Sequence, residues 1–402
     1  MIEVTSQESV NTKAPVITVI GIGGGGNNAV NRMVSAGMEN VNFIAVNTDY
    51  QVLEDSLAER KIQIGRKLTA GMGAGADPAV GASSAEENEE DIIEAIHGTT
   101  MAILTCGLGG GTGTGAIPVT ARICREQKIL TVAVVTMPFS FEGVPQHEVA
   151  QKGLDELREN TDLLLVIPND KLLQICEDDF YLEDAFLTAD NVLRHTIEGI
   201  TGIIFGRGVV NLDFNDIRTT ITNSGLGHLG IGTVKKDGSI MDAIKQAINS
   251  PLLDTDISTA SSILINTSGR LKTQDLNGAL SYIREIARPD IRIHWGTVSY
   301  KDTEDMIKVT IIATGLSEKT SESRPKQAEY NDNSLNVLLS RYSKADRLSS
   351  GSRTRFSSER ITNLTDTDNT NEPEDTTLRI PKFIYRQSIA RNTSGAAAKK
   401  HS

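Results

Sequence analysis

From Val16 to Pro168 the apolar positions come in short blocks, each followed by a loop and then an amphipathic stretch of helical length. The blocks are "VITVI" (16–20), "FIAV" (43–46), "KIQI" (61–64), "AILT" (102–105), "TVAVV" (131–135) and "LLLVI" (163–167). Strands that are apolar on both faces and alternate with helices predict an α/β fold, a Rossmann-like parallel sheet wrapped on both sides. In such sheets ligands bind beyond the carboxyl ends of the strands. A long helical stretch follows, Glu183 to Phe205, and then the elements change character. "GHLGIGTV", "MDAIKQAIN", "SSILINTSG", "TQDLNGALSYIREIA", "IRIHWGTVSY" and "MIKVTIIATGL" predict a second, smaller α+β domain ending near Leu316. Trp295 lies in one of its strands and is read as core.

Beyond Leu316 the periodicity fails. Residues 317–377 are dominated by Ser, Thr, Asn, Asp, Glu and Arg, a composition that cannot bury enough surface to fold. A flexible chain of about 60 residues has a root-mean-square reach of roughly 40 Å. Within it "SLNVLLSRY" places Leu335, Leu338, Leu339 and Tyr342 at helical spacing. Apolar residues return in "LRIPKFIYRQS", and from Arg379 to Ser402 there are six Lys or Arg and no acid, which reads as a docking peptide. The expected divisions are a disordered segment 1–15, a ligand-binding domain 16–182, a connecting helix 183–206, the α+β domain 207–316, a disordered linker 317–377 and a terminal peptide with a basic tail 378–402.

Charge narrows the function classes. The 402 residues carry 40 Lys+Arg against 52 Asp+Glu, a net −12, which argues against nucleic acid as a partner. Cys106, Cys124 and Cys176 form neither a disulfide framework nor a zinc pattern, and the six histidines are widely spaced, so no metal ligand set is expected. The N-terminus has no apolar h-region, and the longest aliphatic run, Leu163 to Ile167, is too short to span a bilayer. A soluble cytoplasmic protein without transmembrane insertion is expected.

The candidate chemistry sits in two loops. "GIGGGGNN" (21–28) follows the first strand block, and "CGLGGGTGTGA" (106–116) follows the fourth. Loops this poor in side chains leave backbone N–H groups bare at the start of a helix, which favours phosphate. Gly21, Gly23 and Gly26 satisfy G-x-G-x-x-G, so a Rossmann-type NAD-dependent oxidoreductase is one reading. That enzyme has no need of a second glycine loop, whereas a triphosphate could be gripped from two sides. The second loop is not a Walker A motif either, because Gly110 and Gly115 are followed by Ala116 and Ile117 rather than Lys-Ser/Thr. A non-polymerising nucleotide-binding module is a third reading.

"GGGTGTG" (109–115) resembles the signature loop of the tubulin/FtsZ family. In the family's order follow "GIGGGGNNAVNRM" (21–33), "NTD" (47–49), "GAGADP" (73–78), "TMPFSFEG" (136–143), "IPNDKLL" (167–173), "DAFLTADNVL" (184–193) and "NLDFNDIR" (211–218). The likeness is to bacterial FtsZ rather than eukaryotic tubulin and covers Val16 to Leu316, resuming at the tail. It implies a GTPase that polymerises head to tail into the filaments of the bacterial division (Z) ring, cytoplasmic and assembled at mid-cell on the inner face of the membrane. Domain 16–182 would then bind GTP, with Mg²⁺, and domain 207–316 would activate hydrolysis. Gly24, Gly25, Gly110, Gly111, Thr112, Gly113 and Thr114 would cradle the phosphates, and Gly73 and Gly75 would report the γ-phosphate. Glu142 would accept from the ribose hydroxyls. Asn28, Asn169 and Asp190 would bracket the guanine, with Phe186 against the ring. Asp213 and Asp216 would be catalytic, inserted into the next subunit's site. Ile380, Pro381, Phe383, Ile384 and Arg386 would bind membrane-tethering division adaptors.

Taken without that resemblance, Phe186 reads as core, Asp190 as a solvated acid, and Asp213 with Asp216 as an N-cap and first-turn acid. Two departures stand out. Gln146 occupies a position where the family usually has an arginine touching the phosphates, and a glutamine brings no charge. "KKDGSIMDA" (235–243) lacks the acid-Asn-Arg pattern common there, which bears on filament contacts.

Overall fold

The computed structural model describes residues 14–173, 181–206, 212–249, 257–269, 272–288, 290–298 and 306–316. The linker, the Leu335–Tyr342 segment, the terminal peptide and nearly all of the N-terminal segment lie outside the described residues. The first sheet contains β1 (Ile17–Ile22), β2 (Asn42–Asn47), β3 (Arg60–Gln63), β4 (Met101–Gly107), β5 (Leu130–Met137), β6 (Leu163–Pro168) and β7 (Gly225–Leu226). Its order is β3-β2-β1-β4-β5-β6-β7, and every pairing is parallel. Between the strands run α1 (Gly23–Ser35), α2 (Tyr50–Glu54), α3 (Arg66–Thr69), α4 (Pro78–Glu87), α5 (Glu89–Ala95), α6 (Thr112–Glu126) and α7 (Val144–Asn160). After β6 come α8 (Asn169–Leu173), α9 (Leu182–Phe205) and α10 (Phe214–Ile221).

Apart from the edge strand β3, where Arg60 and Lys61 are exposed, the strand runs are mainly apolar because both faces are covered. Val19, Ile103 and Val132 pack on one side, with Val30 and Met33 of α1 and with Leu193, Ile197 and Ile200 of α9. Their chain neighbours Ile20, Leu104 and Ala133 pack on the other, with Ile117 and Ile123 of α6 and Leu157 of α7. Each such fully buried aliphatic side chain contributes roughly 1.5–3 kcal/mol of transfer free energy.

The second sheet has β8 (His228–Lys235), β9 (Ser262–Ser268), β10 (Arg292–Val298) and β11 (Met306–Thr314), in the order β10-β9-β11-β8. β10 is parallel to β9, and β11 is antiparallel to both β9 and β8. One face packs on α11 (Ile240–Ile248) and α12 (Thr273–Ile286) through Ile263, Ile265, Ile311, Ile244 and Ile283; Trp295 is partly buried against the same cluster. Leu229, Leu264 and Ile312 face the other way and join the core that holds α9, so one apolar cluster runs through both domains.

Strand β7 has no counterpart in the sequence reading. It is two residues long, and it exists because Ser224 N and Gly225 N both donate to Asp162 O, at 2.8 and 2.9 Å, at the amino end of β6. The chain leaving α10 is thereby fixed to the edge of the parallel sheet where its strands begin.

Candidate nucleotide site

Strands β1 and β4 are neighbours, yet the chain leaves β1 toward β2 on one side and leaves β4 toward β5 on the other. A crevice opens beyond the carboxyl ends of strands at such a reversal. Both glycine loops emerge there. A Cβ on Gly23 would stand 2.8 Å from Gly113 N, and one on Gly25 would stand 3.2 Å from Gly107 N. The start of α1 and the start of α6 therefore share one place. Neither helix has a side-chain cap, and neither carries an acid in its first turn. Two helix starts with their unpaired N–H groups and positive dipole ends converge, an arrangement that favours an anion.

The glycines divide into two kinds. Gly24 and Gly110 are exposed, and a Cβ on either meets nothing within 4 Å, so they face open space. Gly111 and Gly113 are buried. A Cβ on Gly111 would stand 2.8 Å from Asp77 N and 3.0 Å from Ala74 Cβ, and one on Gly113 would stand 3.0 Å from Gly107 O. Gly109 needs its glycine for another reason, a left-handed φ of +103°. Its N–H donates to Thr114 Oγ1 at 2.9 Å, so the buried Thr114 hydroxyl faces into the loop and shapes it. Thr112 Oγ1 lies 2.6 Å from Thr48 Oγ1. Gly73 and Gly75 have φ of +86° and +62° and bracket Ala74, so their turn rests against Gly111 of the phosphate loop. Cys106, in β4 beneath this loop, is fully buried, and burial pushes its thiol far up, so it is no nucleophile at neutral pH.

A second group of side chains surrounds the ends of β5 and β6. Phe186, at 44% exposure, is not core. It meets Phe139 edge-on at 5.2 Å between centroids and Phe141 at 6.4 Å, while Phe139 and Phe141 stack at 4.9 Å. Asn169 is buried, and its Oδ1 has no hydrogen-bond partner among the described residues. Asp190, four residues along α9 from Phe186, accepts from Arg32 Nε of α1 at 2.9 Å. It is therefore not the solvated acid of the bare-residue reading. Burial pushes its carboxyl upward, and the Arg32 hydrogen bond and charge pull it back. Asn28 is exposed on the first turns of α1. Glu142 Oε1 accepts from Phe139 N at 2.8 Å, and the backbone of Gln146 lies beside Gly109, with its O 3.2 Å from where a Cβ would stand.

Sequence reading passed over three supporting residues. Arg32 orients Asp190, and Thr48 holds Thr112. Asn27 donates to Gly21 O at 2.8 Å and accepts from Asn47 Nδ2 at 2.8 Å, binding the first glycine turn to the end of β2. All three lie inside motifs already visible, but only their partners reveal what they do.

Asp213 and Asp216 are placed apart from this group. Asp213 is the N-cap of α10, its Oδ1 accepting from Asp216 N at 2.8 Å, as the bare-residue reading expects. The far end of α10 is tied to Asp162 at the amino edge of β6, through Asn223 N to Asp162 Oδ1 at 3.1 Å. The glycine loops lie at the opposite, carboxyl edge.

Residues 16–177 match the Tubulin/FtsZ family, GTPase domain, and residues 225–317 match the FtsZ family, C-terminal domain. An empty FtsZ dimer from M. jannaschii is 38% identical, the alignment covering 80% of this chain and 96% of that one, with a TM-score of 0.72. The chain belongs to the tubulin/FtsZ family. Another M. jannaschii FtsZ structure, of a point mutant, is 39% identical over 76% of this chain and 92% of that one, also at 0.72. CetZ2 from Haloferax volcanii, a GTPγS-bound protofilament, shares the fold at 16% identity and a TM-score of 0.66, over 83% of this chain and 99% of that one. As a member of the tubulin/FtsZ family the chain is a tubulin-like GTPase, and the dehydrogenase reading is not favoured.

Proposed function

We propose that this GTPase assembles head to tail into the filaments of a bacterial division ring, and that each catalytic site is completed by the next subunit. The observation carrying the proposal is the separation just described: two glycine loops at the carboxyl edge of the sheet, and an acidic pair opening a helix whose far end is tied to the amino edge. Stacking subunits in one direction would bring Asp213 and Asp216 of one to the cradle of the next. There the carboxylates would polarise a water for in-line attack on the γ-phosphate. The M. jannaschii FtsZ relative, solved as a dimer, supports self-assembly.

In the cradle Gly24, Gly25, Gly110, Gly111, Thr112 and Gly113 would hold the phosphates through N–H groups, with Gly73 and Gly75 near the γ-phosphate and Thr114 shaping the loop. Gln146 beside Gly109 would add a neutral hydrogen bond where a cation is usual. Asp190, held in place by Arg32, would accept from guanine N1–H and the 2-amino group. Asn28 and the free Asn169 Oδ1 would complete the base contacts, Phe186 would cover the ring, and Glu142 would take the ribose. Mg²⁺ bound with the nucleotide would spread the phosphate charge.

Among the described residues no helix is long and apolar enough to cross a membrane. Recruitment to the inner membrane face at mid-cell would fall to the terminal peptide. Ile380, Pro381, Phe383 and Ile384 would anchor a membrane-tethering adaptor, with Arg386 on an acidic rim. The test is GTP turnover per subunit against protein concentration. Turnover should be near zero below a threshold and rise above it; turnover per subunit independent of concentration would overturn assembly-dependent catalysis.

A further inference from the structure

The loops leaving β5 and β6 stay together beyond the point where strand pairing stops. The last paired residues are Met137 and Pro168. Two residues on, Asp170 reaches across to the β5 loop and grips Ser140 with both oxygens. Oδ1 accepts from Ser140 N at 2.7 Å, and Oδ2 accepts a short hydrogen bond from Ser140 Oγ. Ser140 opens the 3-10 turn Ser140–Glu142, which is closed by Glu142 N donating to Phe139 O at 3.0 Å and Gly143 N donating to Ser140 O at 3.2 Å. Glu142 Oε1 folds back onto Phe139 N at 2.8 Å, which fixes the direction of its carboxylate. Asp170, in α8 just beyond β6, is thus a cap supplied from a separate segment to the turn that aims Glu142. Its chain neighbour Asn169 carries the unpartnered buried Oδ1. One dipeptide therefore presents an acceptor on the base side and locks the turn on the sugar side.

We infer that Asp170 is a positioning residue for ribose recognition, setting the distance between the base contact at Asn169 and the ribose contact at Glu142. This rests on the nucleotide reading proposed above. An acceptor aimed by a rigid turn discriminates sharply between a sugar with hydroxyls and one without, while the same acceptor on a loose turn does not. Asp170 itself touches no ligand in this scheme. Its signature is a change in sugar selectivity rather than a general loss of affinity.

The experiment measures affinity of the full chain for GTP and for 2′,3′-dideoxy-GTP, at protein concentrations below the turnover threshold. A charged acceptor on the ribose hydroxyls should make the dideoxy nucleotide weaker by about tenfold or more in the wild type. Asp170→Ala should bring that ratio to within about threefold of one. Asp170→Asn, whose carbonyl can still accept from Ser140 N and whose amide can donate to Ser140 Oγ, should restore it most of the way. Ser140→Ala, which removes only the hydroxyl half of the grip, should lower the ratio by about threefold, and it decides the matter if Asp170→Ala does not fold. An undiminished ratio in the alanine variants would overturn the role of Asp170, as would a wild type that binds GTP without preferring the ribose. A wild type that binds no GTP would instead overturn the nucleotide reading itself.

Discussion

His195 lies on the inward side of α9, where burial first, and the Arg194 and Lys308 charges second, hold its imidazole well below the ordinary 6.5; a backbone hydrogen bond at Asn191 pulls the other way. Arg194 Nη2 lies 3.1 Å from His195 Nε2, and Arg194 also pairs with Glu198 at 2.7 Å. The folded protein therefore keeps this ring neutral at pH values where the unfolded chain protonates it. Between 6.5 and the depressed folded value the unfolded state binds more protons, so stability falls as pH drops through that window, by up to about 1.4 kcal/mol per pH unit. Lys308, pushed down mainly by burial, acts in the same sense near its ordinary 10.5, with stability rising as pH approaches that value. Asp190, pushed up mainly by burial, acts in the opposite sense, but in a window that starts at its ordinary 3.8. Thermal melting followed from about pH 7.5 to about pH 5 should show a falling midpoint, and His195→Gln should flatten that fall. Parallel profiles for the two proteins would remove His195 as the source. Nothing in the sequence marks this residue. It is one of six scattered histidines, and the packing of α9 against β11 is what gives it a consequence.

The contact between α4 and α6 shows what a glycine count conceals. Gly115, in the first turns of α6, is packed so closely on α4 that a Cβ would collide with Pro78 O and stand 2.7 Å from Ala82 N. Gly110, five residues earlier in the same signature, faces open space. The two glycines look alike in the sequence, and the physics separates them. Gly115→Ala should destabilise the fold by about 1–3 kcal/mol or more, because the colliding atoms are backbone and cannot rotate away. Gly110→Ala should leave the melting midpoint within about 1 °C of wild type while weakening GTP binding. Equal stability losses in the two variants would mean that the loop is one structural unit rather than a packed half and an open half. Legibility follows the same division. Strands β1, β2, β4, β5 and β6 were legible because burial on both faces writes an apolar run into each, whereas the edge strand β3, with Arg60 and Lys61 exposed, shows only a fragment of one. Helix α9 was legible for its length, 24 residues against an expected Glu183–Phe205. Strand β7 was not, since its two residues are selected by Asp162 some sixty positions earlier. Read without the family resemblance Phe186 is core, as an aromatic in an apolar helix usually is; its 44% exposure, edge-on to the buried Phe139, shows otherwise.

At the scale of the whole molecule the governing fact is that α9, about 36 Å long at 1.5 Å per residue, leads away from Phe186 and Asp190 at its start. The acidic pair follows beyond its other end. Catalysis shared between subunits can be tested with two defective proteins whose lesions lie on opposite edges. One carries Asp213→Ala with Asp216→Ala and keeps its glycine loops. The other carries Thr112→Arg, which replaces the hydroxyl facing Thr48 with a long side chain in the phosphate cradle and leaves the acidic pair intact. Each alone should hydrolyse almost nothing. Mixed, a subunit with intact carboxylates can stand against the nucleotide of a carboxylate-deficient neighbour, so activity should return and peak at an intermediate ratio. The recovery should be modest, because random order would complete only a minority of junctions. Asp213→Ala also removes the cap of α10, worth about 1 kcal/mol, so the melting midpoint of that variant must be measured alongside. If both variants are folded and sediment together, yet no ratio restores turnover, the carboxylates do not act across the junction, and their work is the one visible within a single chain, starting α10.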